Sequence, residues 1–162
     1  MAEHIIDVHT HVFLREFFED VNEETDVTVP LGDDKAQNLS GGWVELTDVE
    51  ERIALLEEVG IDKQIVSFSS IENFIDPEHW NTPGLRQDIA RKVNDSFARL
   101  VDEHPDHFGA FADVPLVGPD TVDDAIAEVE RAVEDLGFTG VTLNSNYNGI
   151  RLDDERLHPL LE

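Results

Sequence analysis

Apolar residues recur along this chain in two alternating patterns. Short unbroken runs, His4-Ile5-Ile6-Asp7-Val8, Gln64-Ile65-Val66-Ser67-Phe68, Phe108 to Val114 and Gly140-Val141-Thr142-Leu143, read as buried strands. The segments between them carry helical spacing. Thr47-Asp48-Val49-Glu50 fits a capping box, with Thr47 as the N-cap. Ile53, Leu56 and Val49 then turn inward, and Gly60 ends the helix in a left-handed cap. Thr82-Pro83 opens a second helix, with Leu85, Ile89, Val93, Phe97 and Leu100 along one face and His104-Pro105 as its stop. Asp120-Thr121 opens a third, striped by Val122, Ile126, Val129 and Val133 and stopped at Gly137. A final helical start runs from Asp154 to Glu162. Phe13 to Val21 is Phe-rich, and Phe13, Phe17 and Phe18 read as core rather than as a lid. Asn22 to Gly42 reads as an excursion without a core pattern, an inserted loop over about residues 20–45.

The order β-α-β-α-β-α-β-α with apolar strands predicts one α/β unit, a parallel sheet covered by helices. Two architectures accommodate it. One is a small doubly wound sheet; the other is the parallel (βα)4 half of a TIM (β/α)8 barrel. The last residues, Leu160-Leu161-Glu162, lie inside a helical pattern with no cap, which favours the half-barrel. That choice predicts four strands in sequential order, helices on one outer face, and an uncovered apolar inner face.

Charge narrows the function classes. The 162 residues hold 37 Asp and Glu against 11 Lys and Arg, a net charge of −26. Such a balance argues against a nucleic-acid surface, which needs basic patches. Hydrophobic residues at 40% are enough for a packed core, so the acid does not signal disorder. No apolar run approaches a membrane span of about 18 residues, and Met1-Ala2-Glu3-His4 leads into a strand without a signal peptide, so a cytoplasmic protein is expected. Without Cys there is neither disulfide nor thiolate chemistry. Acids are dispersed over every helix and Lys is confined to Lys35, Lys63 and Lys92, the pattern of adaptation to a high-salt cytoplasm. An ordinary acidic domain binding cations or basic partners is the other reading.

The sharpest chemical feature is Asp7-Val8-His9-Thr10-His11. Residues two apart on a strand share a side, so His9 and His11 project together at the carboxyl end of the first strand, the functional end of parallel architectures. Two converging imidazoles make half of a metal site; two histidines packed at a strand end are the structural alternative. Asp7 is read as facing away from the pair. His4, His104 and His107 belong to the opposite end and His158 to the last helix, which leaves His79, in a loop after the second strand, as the remaining candidate ligand.

Ile5-Ile6-Asp7-Val8-His9-Thr10-His11 resembles the first strand of the amidohydrolase superfamily. Val49-Glu50-Glu51-Arg52-Ile53, Gly60-Ile61-Asp62, Val93-Asn94-Asp95, Pro105 to Phe111 and Leu136 to Val141 are similar, in order and spacing, to the amidohydrolase-2 branch that includes the aminocarboxymuconate-semialdehyde decarboxylases. The resemblance spans nearly the whole chain and is weakest from Asp20 to Gly42. It implies a (β/α)8 enzyme holding zinc or another divalent ion, which hydrolyses or decarboxylates a small carboxylate-bearing or cyclic substrate. It makes His9 and His11 metal ligands. The other elements of such a site, a His after the fifth strand, a catalytic His and an Asp at the eighth, belong to strands beyond the fourth. No catalytic residue is therefore assigned here, and the chain alone is expected to be inactive and to need its C-terminal half or a second copy. The resemblance also implies that Arg52 binds a substrate carboxylate; pairing with Asp48 is the alternative. Ser69 and Asn144 follow the second and fourth strands and either contact substrate or cap loops. Asn94-Asp95 reads as a helix–sheet tie, and Trp80 as loop packing. Two other classes stay open: a non-catalytic half-barrel, and a small α/β binding module with a structural His pair.

Overall fold

The computed structural model describes residues 4–68, 74–80 and 82–162. In chain order come β1 (Ile6–His11), α1 (Arg15–Glu24), a hairpin of β2 (Lys35–Gln37) and β3 (Trp43–Glu45), α2 (Val49–Val59), β4 (Lys63–Ser67), α3 (Pro77–Trp80), α4 (Pro83–Glu103), β5 (Phe108–Asp113), α5 (Val122–Glu134) and β6 (Gly140–Thr142). A second hairpin, β7 (Asn146–Tyr147) and β8 (Ile150–Arg151), and a 3-10 helix at Glu155–Leu160 follow. β1, β4, β5 and β6 form one parallel sheet in that order. No strand order reverses within it. This is the wall of a half-barrel, as expected, and not a doubly wound sheet.

Helix boundaries follow local chemistry. Gly60 caps α2 at φ 77°, a conformation that penalises any Cβ. Pro83 occupies the first turn of α4, and His104 caps its end. The N-cap of α2 is one residue later than the capping box predicts. Asp48, not Thr47, accepts the Glu51 amide at 2.9 Å. Thr47 instead pairs with Phe13, whose carbonyl accepts the Thr47 amide at 2.9 Å, tying the helix approach to the chain leaving β1.

The main core gathers Val66 and Phe68 from the β4 region, Ile89, Val93, Phe97 and Leu100 from α4, and Phe17, Phe18 and Val21 from α1. The Phe-rich segment is core: Phe17 and Phe68 ring centroids are 4.9 Å apart, and Phe18 and Phe74 5.0 Å. The segment from Asn22 to Gly42 does have a core pattern, contrary to the sequence reading. Val27, Val29 and Ala36 are buried with the same cluster. The Asn22 side chain clamps Val29, accepting its amide at 2.6 Å and donating to its carbonyl at 2.8 Å. The expected stripe on α5 is also shifted. Val122, Ala125, Glu128 and Ala132 face inward, whereas Val133 is exposed. Of Trp80 only the backbone is described, so its packing lies outside the described residues.

β1 carries a bulge. Asp7 pairs with Gln64 and Thr10 with Val66, so Val8 and His9 together stand opposite Ile65. Regular alternation would place residues 7, 9 and 11 on one side, so the expectation that Asp7 faces away from the pair holds through the bulge and not through the strand period. The extra residue moves Asp7 onto the helix-facing side with Thr10 and Val12, and leaves His9 and His11 on the other.

Candidate metal centre

His9 and His11 are both exposed at the carboxyl end of β1. Their ring centroids lie 5.6 Å apart at an interplanar angle of 76°. His11 Nδ1 is 3.0 Å from Ser67 Oγ, which also donates to the Thr10 carbonyl at 3.1 Å. Beneath the pair, on the helix-facing side, a polar network holds the bulge. Asp7 Oδ1 accepts the His9 amide at 3.1 Å, and Asp7 Oδ2 accepts Gln64 Nε2 at 2.9 Å. The His9 amide, and next the Gln64 side chain, hold the Asp7 carboxyl below its ordinary value against the opposing effect of partial burial.

Arg52 completes this network from α2. Its Nε donates to Gln64 Oε1 at 2.7 Å, Nη1 to the His11 carbonyl at 3.4 Å, and Nη2 to Thr10 Oγ1. Burial lowers the guanidinium from its ordinary value, and Asp7 opposes that shift. Arg52 therefore braces the strand carrying the histidines rather than pairing with Asp48. It also lines, with His11, Gln64, Leu55 and the carboxylates Glu45, Asp48 and Glu51, an open cavity of about 560 Å³.

The other expected residues distribute as follows. Asn144 is exposed beyond the carboxyl end of β6, and its amide donates to the Tyr147 hydroxyl at 3.0 Å. Ser69 lies outside the described residues. His79 lines a separate cavity with Glu23, Glu24, Asp26 and Asp88, away from the pair. Among the described residues, no group of three or more His, Cys, Asp or Glu is gathered to hold an ion. Asn94 is the helix–sheet tie expected of it, accepting the Asp113 amide at 2.8 Å and donating to the Asp113 carbonyl at 3.0 Å. Gln64, Ser67 and the Asp7 contacts were not singled out in the sequence. A Gln and a Ser within an apolar strand were the available signal, since buried polar side chains need partners.

The donor set fits a divalent ion in part. Both rings stand on one exposed side at the end of the sheet where parallel folds place their chemistry. Two neutral imidazoles leave at least half of a tetrahedral shell to other donors.

Residues 6–162 match the amidohydrolase family Amidohydro_2, and the chain belongs to that family. It is 30% identical over 115 residues to the 2-amino-3-carboxymuconate-6-semialdehyde decarboxylase of Dictyostelium discoideum, covering 71% of this chain and 30% of that protein. It is 36% identical over 109 residues to a gamma-resorcylate decarboxylase of a Rhizobium species, covering 63% of this chain and 31% of that protein. A dihydroxybenzoic acid decarboxylase from a Polaromonas species, solved with manganese and the inhibitor 2-nitroresorcinol, superposes with a TM-score of 0.68 at 21% identity. That match covers 99% of this chain and 46% of the solved one. The chain thus spans about a third of these curated relatives and just under half of the solved chain. At that identity the superposition establishes a shared fold.

Proposed function

We propose that this chain supplies the two-histidine part of a divalent-metal site in a carboxy-lyase or hydrolase of the amidohydrolase type. The observation that carries the reading is the placement of His9 and His11 together, exposed, on the side of β1 away from the helices. The substrate class is a small, cyclic or aromatic carboxylate, in keeping with the decarboxylases among its relatives. When bound, the ion supplies a Lewis acid that polarises substrate or water.

The chain's own residues bind and orient. His9 and His11 hold the ion. Arg52, at the cavity beside His11, has more N–H donors than its three bonds use, and we assign the remainder to a substrate carboxylate. Asn144, and Ser69 by its sequence position, are read as mouth contacts. An imidazole-rich donor set suits zinc, whereas the Polaromonas relative was solved with manganese. Two ligands predict weak binding and no turnover by this chain alone. The charge of −26 is read as adaptation to a salt-rich cytoplasm.

Calorimetric titration with zinc and manganese chlorides tests the proposal. We expect weak binding by the wild type and its loss in the His9→Ala/His11→Ala protein. Equal binding by both would refute a ligand role for the pair.

A further inference from the structure

We propose that Ser67 is a positioning residue that locks the His11 ring with its proton on Nδ1, presenting Nε2 as the metal-binding nitrogen. The consequence for the ion rests on the metal reading above; the lock itself does not.

Ser67 closes β4 in register with His11 and is buried to 6% exposure. Its single hydroxyl proton faces two neighbours, the Thr10 carbonyl at 3.1 Å and His11 Nδ1 at 3.0 Å. A carbonyl only accepts, whereas an imidazole nitrogen donates or accepts according to tautomer. If the hydroxyl donated to Nδ1, the Ser67 and Thr10 oxygens would face each other at hydrogen-bond distance with no proton between them. If it donates to Thr10, Nδ1–H donates to Ser67 Oγ and every contact is satisfied. Only the second arrangement leaves no opposed lone pairs in a buried position, where water cannot relieve them.

The outcome is the reverse of what a free side chain does, since a neutral histidine in water favours the proton on Nε2. On this strand that form would turn an N–H toward the ion. Ser67 removes the alternative before any metal arrives, and it does so through the peptide that separates the two histidines. Metal-bound imidazoles generally have their second nitrogen held this way by a neighbouring acceptor, and losing such a partner costs on the order of 10–100-fold in affinity.

The experiment uses the full chain, labelled with 15N at histidine, without metal and at a pH where imidazole is neutral. We expect a pyrrole-type Nδ1 and a pyridine-type Nε2 for His11, with the opposite preference at the exposed His158. Ser67→Ala should shift His11 to the water-like tautomer, and Ser67→Thr should restore the lock, with circular dichroism confirming that each variant folds. In calorimetry with zinc and manganese, Ser67→Ala should bind about 10-fold or more weakly than wild type. A wild-type His11 protonated on Nε2 overturns the proposal, as does an unchanged tautomer in Ser67→Ala. A changed tautomer with unchanged His-dependent affinity overturns the positioning role. A lock that is present in a protein showing no His-dependent binding upholds Ser67 and refutes the metal reading instead.

Discussion

Individual side chains hold β1 in the shape that pairs its histidines. The bulge rests on Asp7, Gln64, Thr10 and Arg52, joined by hydrogen bonds across two strands and a helix. Arg52→Lys should not preserve it, because an ammonium cannot reach Gln64, Thr10 and the His11 carbonyl in one planar fork. Loss of about 1–3 kcal/mol in urea denaturation and displaced His11 resonances are the expected outcome, and a wild-type midpoint would contradict it. Asp7 gives the site an acid limit. Its pKa is lower folded than unfolded, so its stabilising contribution is present above the ordinary Asp value and fades as pH falls through the lowered one. The protection factor of the His9 amide against exchange should fall across that acid window. Asp7→Asn should show faster exchange already at neutral pH, since its single acceptor oxygen must serve both the His9 amide and the Gln64 donor and its NH2 opposes one of them.

Between elements, polar ties do much of the positioning. Asn94 on α4 joins both backbone groups of Asp113, at the end of β5, and donates to Glu128 at 2.7 Å. Glu128 is buried to 1% exposure and receives two bonds from Arg131. These contacts seat α4 and α5 on one strand. Asn94→Ala should leave the partly buried Asp113 backbone groups and the buried Glu128 carboxylate each short of a partner and cost about 1–3 kcal/mol in a denaturant melt. A neutral result would mean that water replaces the amide. An apolar stripe does not reveal such ties, because it registers hydrophobic positions only. On α5 the buried carboxylate takes an inward position while Val133 faces solvent.

Over the whole molecule, two features lie outside any single element. Ile6 and Val8 on β1, the edge strand of the sheet, are 53% and 59% exposed. An apolar strand at a sheet edge is a template for association. Sedimentation of the chain should show mass rising with concentration, and Val8→Glu should suppress it; a monodisperse monomer at high concentration would refute this. The net charge of −26 is the second feature. Screening of repulsion among the acids should raise the melting temperature from dilute buffer to molar KCl. A melting temperature indifferent to KCl would refute salt adaptation.

Periodicity was sufficient for the parallel alternation, the four sheet strands and the three main helices, because burial of one face writes itself into the residue pattern. The His9 and His11 pair was legible from spacing by two, and it survives the bulge because the extra residue is taken up before Thr10, from which point the strand is in register again. Sequential strand order, as opposed to a doubly wound sheet, was settled by pairing between segments far apart in the chain. The same holds for the bulge that separates Asp7 from the histidines, for the fold of the Asn22 to Gly42 segment around Val29, and for the Ser67 contact with His11. Each depends on which distant group satisfies a buried polar atom. That choice is made when the sheet closes against its helices, and no local pattern of apolar and polar residues encodes it.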